Sequence, residues 1–244
     1  MHIPSPKLLD LFCGAGGAAH GYVEAGFAVT GVDIKPQNAY LASGASSFVL
    51  GDAMALLQNP RFLRQFDAIH ASPPCQGYSQ GTARTNDTPR LIWKIRALLD
   101  ANAPDVPYVI ENVTGARGSM HGPITLCGSM FGLNTTRHRL FECGNFACFE
   151  PGHPNCWGLQ TRYAESLGVH PRIVRVMGHA SNVTVIQLWR DIMHMPWAIT
   201  GNDLSEAIPP AYTSFIGRQL HDSLQRLPAK SDVRFGAELD ASGE

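Results

Sequence analysis

Along its first half the chain sets short apolar runs between stretches of helical period. Residues 7–12 form an apolar run that stops at the glycine-rich turn Cys13-Gly14-Ala15-Gly16-Gly17, and the helix-prone segment 18–25 follows. Residues 27–32 repeat the strand signal and end at Asp33, residues 47–50 end at Gly51-Asp52, and residues 66–71 run into Ser72-Pro73-Pro74-Cys75. Residues 88–101 carry Leu91, Ile95, Leu98 and Leu99 at helical spacing, and residues 107–110 give a fifth strand that ends at Glu111-Asn112. Strands alternating with helices predict an α/β fold with a doubly wound, mostly parallel sheet. Ligands of such sheets bind beyond the carboxyl ends of the strands, so Gly14, Asp33, Asp52, Cys75 and Glu111 are expected at one address.

The pattern changes after residue 142. Residues 143–200 are rich in Gly, Pro, His, Asn and Trp with poor periodicity, as expected of a small loop-rich lobe inserted into the fold. Residues 201–227 return to a helical stripe through Phe215, Ile216, Leu220, Leu224 and Leu227, and residues 228–244 read as a disordered tail. The expected organisation is therefore a catalytic, cofactor-binding domain at 1–142, a target-recognition lobe at 143–200 and a segment at 201–227 that rejoins the catalytic domain. A net charge of -1 with 16% charged residues provides no global basic field, so any polyanionic partner must be met by a local patch. Six scattered cysteines and no long apolar run predict a reducing, cytoplasmic setting without membrane contact.

Three features carry candidate chemistry. Glycines in the 13–17 turn let backbone approach a ligand closely, and Asp33 at the second strand tip is placed to accept from ribose hydroxyls, so the first half suggests a nucleoside-type cofactor. Asp52 has two readings, an acceptor for an adenine amino group or the N-cap of the next helix. The prolines before Cys75 stiffen its backbone, which suits a presented nucleophile or a plain tight turn. Cys143, Cys148, His153 and Cys156 have zinc-like content, but lack a Cys pair with two intervening residues; free cysteines are expected and no metal is assigned.

Five blocks, taken in order, carry a family resemblance: Asp10-Leu-Phe-Cys-Gly-Ala-Gly-Gly17, Ser72-Pro-Pro-Cys-Gln76, Glu111-Asn-Val113, Arg137-His-Arg139 and Ala207-Ile-Pro-Pro210. The chain closely resembles the DNA cytosine-5 methyltransferases, in the compact form of phage and bacterial orphan enzymes. The resemblance implies an S-adenosylmethionine-dependent methyltransferase fold and methyl transfer to C5 of a flipped-out cytosine in double-stranded DNA. It implies Cys75 as the nucleophile at C6, Glu111 as the acid at N3 and Arg139 as the clamp on O2. Phe12, Gly14, Gly16, Gly17, Asp33, Ile34, Asp52, Ala53 and Pro73 are implied to hold the cofactor. Gln76, Ser79, Asn112 and Arg137 are implied to meet the substrate, with Arg137 alternatively supporting the fold.

Flipping a base requires an element that reads its neighbours, and 143–200 is the segment available, with Arg162, His170, Arg172, Arg175 and His179 as candidate contacts. Residues 77–87, polar and short of apolar anchors, are expected to form a loop closing over substrate. The chain departs from the family at Asp33-Ile34, where Glu and a large aromatic are usual, and at 134–136, which lack the usual Pro-Gln. These departures leave room for the same chemistry on RNA or with a modified donor. A silent DNA-binding relative is the third reading, against which the intact Cys75, Glu111 and Arg139 argue. No obligatory protein partner is expected.

Overall fold

A computed structural model describes residues 4–78, 89–154, 156 and 173–226. Its centre is a seven-stranded sheet of order β3-β2-β1-β4-β5-β7-β6. The strands are β1 (Lys7–Leu11), β2 (Ala28–Asp33), β3 (Ser47–Leu50), β4 (Ala68–Ala71), β5 (Tyr108–Val113), β6 (Ile124–Leu126) and β7 (Arg139–Gly144). The first five pair in parallel, and β7 runs antiparallel to both β5 and β6. The helices are α1 (Gly17–Glu24), α2 (Ala53–Leu56), α3 (Pro60–Leu63), α4 (Ile92–Asn102), α5 (Val183–Met193), α6 (Gly201–Glu206) and α7 (Pro210–Arg226).

The near-continuous apolar character of the central strands follows from burial on both faces. Leu9, Leu11, Ile69, Ala71 and Ile110 face a core closed by Ile92, Ile95 and Leu99 of α4. Their neighbours Leu8, Val29 and Ala68 face the opposite core, with Tyr22 of α1 and Leu220 of α7. Helices α1 and α7 meet backbone to backbone: a Cβ at Gly21 would lie 2.1 Å from the carbonyl oxygen of Pro210, so only glycine permits this approach. Thr213 Oγ1 donates to the Ala18 carbonyl at 2.9 Å across the same contact. Through these contacts α7 packs on α1.

The register aligns the strand tips. Leu11 pairs with both Val32 and Ala71, and Ala71 pairs with Ile110, so Phe12, Asp33, Ser72 and Glu111 follow in one row across four strands.

Three details differ from the sequence expectation. Strand β5 continues through Val113, because β7 supplies it with an antiparallel partner from Tyr108 to Val113. The boundary at 142/143 falls inside β7. Segment 143–200 contains the regular helix α5, N-capped by Asn182, whose side chain accepts from the backbone N–H groups of Thr184 and Val185. Trp189, Ile192 and Met193 of α5 pack with Ala15 of the glycine turn and with Val176, Met195, Ala198 and Leu204. The positions of the expected tail, of Ser79 to Asp87 in the expected loop, and of Arg162, His170 and Arg172 lie outside the described residues.

Candidate active site

A cavity of about 560 Å³ opens at the carboxyl edge of the sheet, within the size range of small-molecule sites. Phe12, Gly14, Gly17, Asp33, Ile34, Asp52, Ala53 and Pro73 line one part of it, and Cys75, Gln76, Glu111 and Arg139 line another. The single wall joins most of the residues implied for cofactor to the three implied for chemistry.

Backbone conformation explains the glycine turn. Phe12 has φ 59° and Gly14 φ 49°, the left-handed region, which suits glycine at the second position. A Cβ on Gly14 would meet nothing within 4 Å, so the turn is bent to leave room. Its N–H donates to Asp33 Oδ2 at 3.1 Å, and Asp33 Oδ1 accepts from the Lys35 N–H at 2.9 Å. Asp33 therefore braces the turn while sharing the cavity wall. Gly16 does not line the cavity; it is the N-cap of α1, with φ 84° and its N–H donating to the Cys13 carbonyl. Asp52 N-caps α2 by accepting from the Met54 N–H at 2.8 Å, and it also lines the cavity, so its two readings are compatible. Ile34 presents a side chain 70% exposed at the wall, an apolar platform where an aromatic is usual in the family.

Asp10 was missed by the sequence reading. It is fully buried in β1 and lines the cavity floor; Tyr40 donates to its Oδ2 at 3.2 Å, while Oδ1 has no partner. Burial pushes its carboxyl from 3.8 up to about 8, partly countered by the Tyr40 bond. A buried polar atom without a partner commonly marks a ligand position. The available signal was an acid inside the apolar run Leu8-Leu9-Asp10-Leu11.

The catalytic candidates converge by register. Val113 pairs with Arg139 and Glu111 with Phe141, which puts Glu111 and Arg139 diagonally on one face of the β5–β7 ladder. Arg139 Nε lies 3.3 Å from Glu111 Oε1. Burial raises the Glu111 carboxyl above its usual range, and the cations Arg139 and Arg137 and a hydrogen bond from Ser72 oppose the rise. Behind Glu111 runs a buried chain of polar groups: Tyr22 Oη lies 3.0 Å from His70 Nδ1, and His70 Nε2 lies 2.7 Å from Ser72 Oγ. Burial holds His70 neutral, its pKa lowered to about 3. A neutral His70 whose Nδ1 accepts from Tyr22 donates through Nε2 to Ser72, whose own proton then points to Glu111.

Cys75 is half-buried at the turn after β4. Burial raises its thiol, Arg139 lowers it, and Glu111 raises it again, with a net rise. The thiol thus sits between the two groups expected to act with it. The turn is held from below by Asn112, whose amide donates to the Pro73 carbonyl at 3.0 Å. Asn112 is 1% exposed and does not line the cavity, so its place is under the cysteine turn and not against substrate. Tyr78 anchors the root of the expected loop 77–87: it is buried, its hydroxyl accepts from the Ile92 N–H at 3.2 Å, and Arg90 donates to the Gly77 carbonyl. That root has the apolar anchor the sequence reading found wanting.

Arg137 also departs from the substrate role. It is buried, and its guanidinium donates to the backbone carbonyls of Val176, Ser205 and Ala207. Strand β7 begins only at Arg139, so period-two alternation does not extend to Arg137, which turns into the C-terminal segment. That segment brings Asp203, Ser205, Glu206, Ala207 and Ile208 to the cavity wall, positions absent from the sequence expectation. Trp197 Nε1 donates to the Ala15 carbonyl at 2.9 Å and ties it to the glycine turn. Of the candidate base-reading residues that are described, Arg175 is exposed and His179 is hydrogen-bonded to Asn202 Oδ1 at 2.8 Å.

A family model described as C-5 cytosine-specific DNA methylase matches residues 6–143, which hold the glycine turn, the cysteine turn, Glu111 and Arg139. The chain belongs to the C-5 cytosine-specific DNA methylase family. Among curated members, the Type II methyltransferase M.AgeI of Thalassovita gelatinovora is 28% identical over 131 residues, covering 48% of this chain and 30% of that protein. The match thus spans about a third of that relative's length. Two solved structures have the same fold. The S. pombe Dnmt2 methyltransferase is 12% identical with a TM-score of 0.55, over 90% of this chain and 98% of that one. The Entamoeba histolytica methyltransferase EhMeth is 13% identical with a TM-score of 0.56, over 90% and 99%. In this family member the sheet, with its mostly parallel order and its helices on both faces, is the S-adenosylmethionine-dependent methyltransferase fold. No helix among the described residues is long and apolar enough to cross a membrane.

Proposed function

We propose that this protein methylates C5 of cytosine in double-stranded DNA, by covalent catalysis through Cys75. The observation that carries the reading is one cavity wall on which Cys75, Glu111 and Arg139 adjoin the glycine turn, Asp10, Asp33 and Asp52.

The residues fit S-adenosylmethionine. The open space beside Gly14 admits a ligand against backbone, and the unpartnered Oδ1 of Asp10 suits an ammonium. Asp33 and Asp52 suit ribose and adenine donors, and Ile34 offers an apolar surface for the adenine ring. When bound, this cofactor supplies an electrophilic methyl group on a sulfonium.

The protein's own residues prepare the base. Cytosine C5 is a weak nucleophile until a thiolate adds at C6. The Cys75 sulfur forms the C6–S bond, and the ring's electron pair moves toward N3. Glu111, whose carboxyl burial pushes above its usual range, is the acid that donates a proton at N3 and neutralises that charge. Arg139 holds O2 and stays in place through Glu111 and the β7 backbone. With the methyl group delivered to C5, a base would remove the C5 proton, the electron pair would re-form the C5–C6 double bond and expel Cys75 as thiolate, and N3 would give its proton back to Glu111. Because the base must leave the duplex to reach this wall, base flipping accompanies binding.

Sequencing DNA from cells expressing the protein by a 5-methylcytosine-sensitive method, with RNA from the same cells in parallel, tests this. The expected result is 5-methylcytosine in a defined DNA context with wild type and none with Cys75→Ala. Methylation confined to RNA, or a Cys75→Ala variant as active as wild type, refutes the proposal.

A further inference from the structure

On the outer side of the β6–β7 hairpin, away from the cavity, two cysteines and two histidines come together. The register accounts for the first two. Leu126 pairs with Arg139, so the next cross-strand neighbours beyond the ladder are Cys127 and His138. His153 and Cys156 arrive from the segment that follows β7. The four ligand atoms lie within 4.8 Å of one another. Cys156 Sγ is 3.4 Å from His138 Nε2 and 3.6 Å from His153 Nε2. A tetrahedral zinc with Zn–S near 2.3 Å and Zn–N near 2.0–2.1 Å has a sulfur-to-nitrogen edge of about 3.6 Å. The observed spacings are those of two edges of such a tetrahedron.

We propose that Cys127, His138, His153 and Cys156 form a structural zinc site. Two thiolates and two imidazoles are a donor set suited to zinc, and four protein ligands leave no position open for water or substrate. Both sulfurs are buried while His153 is exposed, so the metal enters from the His153 side. Ser129 Oγ lies 3.1 Å from Cys127 Sγ and donates to it once the thiol is ionised, as an outer-sphere hydrogen bond typically does. The set differs from the one the sequence suggested. Cys143 and Cys148, both free thiols, hydrogen-bond to each other instead and stand outside the cluster.

The site has a mechanical purpose. His138 lies between Arg137 and Arg139, and its carbonyl accepts from Arg139 Nη1 at 2.9 Å. A metal on His138 fixes the entry of β7, and with it the backbone that aims Arg139 at Glu111. The same metal ties the expected recognition segment, at His153 and Cys156, to the catalytic domain. Zinc thus acts as a positioning element.

Metal analysis of the full chain, purified without an affinity tag that binds metal, decides the matter. We expect about one zinc per chain, retained in Cys143→Ser and Cys148→Ser and lost in Cys127→Ser and Cys156→Ser. Loss of metal through misfolding is separated by His153→Cys, which changes an exposed ligand. This variant keeps the metal, and its cobalt form has stronger thiolate-to-metal charge-transfer absorption than cobalt-substituted wild type. Absence of zinc from wild type even after adding zinc to reduced protein, full retention by Cys127→Ser and Cys156→Ser, or an unchanged cobalt spectrum in His153→Cys would overturn the proposal.

Discussion

The anchor at Arg137 and the cavity wall around Glu111 and Arg139 adjoin at the entry of β7, yet they treat polar groups in opposite ways. Arg137 donates to three backbone carbonyls and is a satisfied buried cation. On the cavity side Asp10 keeps an unpartnered oxygen, while Glu111 and Cys75 are held above their ordinary pKa ranges by burial. A scaffold lowers its free energy by satisfying its polar groups; a site keeps some unsatisfied for the ligand that completes them. In the proposed mechanism Arg137 therefore serves the fold, and Glu111 with Arg139 the chemistry, although a single residue separates the two arginines.

The sharpest way to break this contrast is Glu111→Gln. Losing a general acid lowers kcat by about 10²–10⁴-fold, while thermal stability is unchanged or raised, because a buried carboxyl is replaced by a neutral amide. The same change removes a negative neighbour of Cys75, so the midpoint pH of Cys75 alkylation by iodoacetamide moves down. Activity within tenfold of wild type would place Glu111 on the scaffold side. Arg137→Ala has a smaller effect of the opposite kind. It strands buried carbonyls of Val176, Ser205 and Ala207, and urea unfolding should show a loss of about 3–5 kcal/mol. A loss below about 1 kcal/mol would mean that these bonds form a surface decoration and that the contrast fails at Arg137.

The same contrast explains what the sequence disclosed. Strand tips were legible because parallel strands buried on both faces read as apolar runs, and the residue after each run lies at the sheet's carboxyl edge. That logic placed Gly14, Asp33, Asp52, Cys75 and Glu111 together, and all five line the cavity. Position alone could not separate Arg137 from Arg139, since their fates depend on where β7 begins. Asn112 resembled a substrate contact only by adjacency to Glu111; pleating turns it beneath the Pro73 turn. Helix α5 was legible and was missed: Val185, Ile186, Trp189, Ile192 and Met193 recur at helical spacing after the N-cap residue Asn182, but the segment was read by its content of Gly, Pro, His and Asn. The Cys and His quartet was illegible because Cys127 and His138 are far in sequence from His153 and Cys156, and it takes the β6–β7 hairpin and the return of the chain after β7 to bring them together.

The central claim, that Cys75 attacks the base with Glu111 and Arg139 at hand, is tested most directly by trapping the covalent intermediate. Duplex DNA with 5-fluorocytosine in place of cytosine lacks the C5 proton whose removal releases the enzyme. Incubated with S-adenosylmethionine and the protein, it should give a complex stable to denaturation, and peptide mass spectrometry should find the modified nucleotide on Cys75, with none formed by Cys75→Ser. An adduct on a different cysteine, or methyl transfer to ordinary DNA without any trapped complex on the fluorinated duplex, would contradict the account.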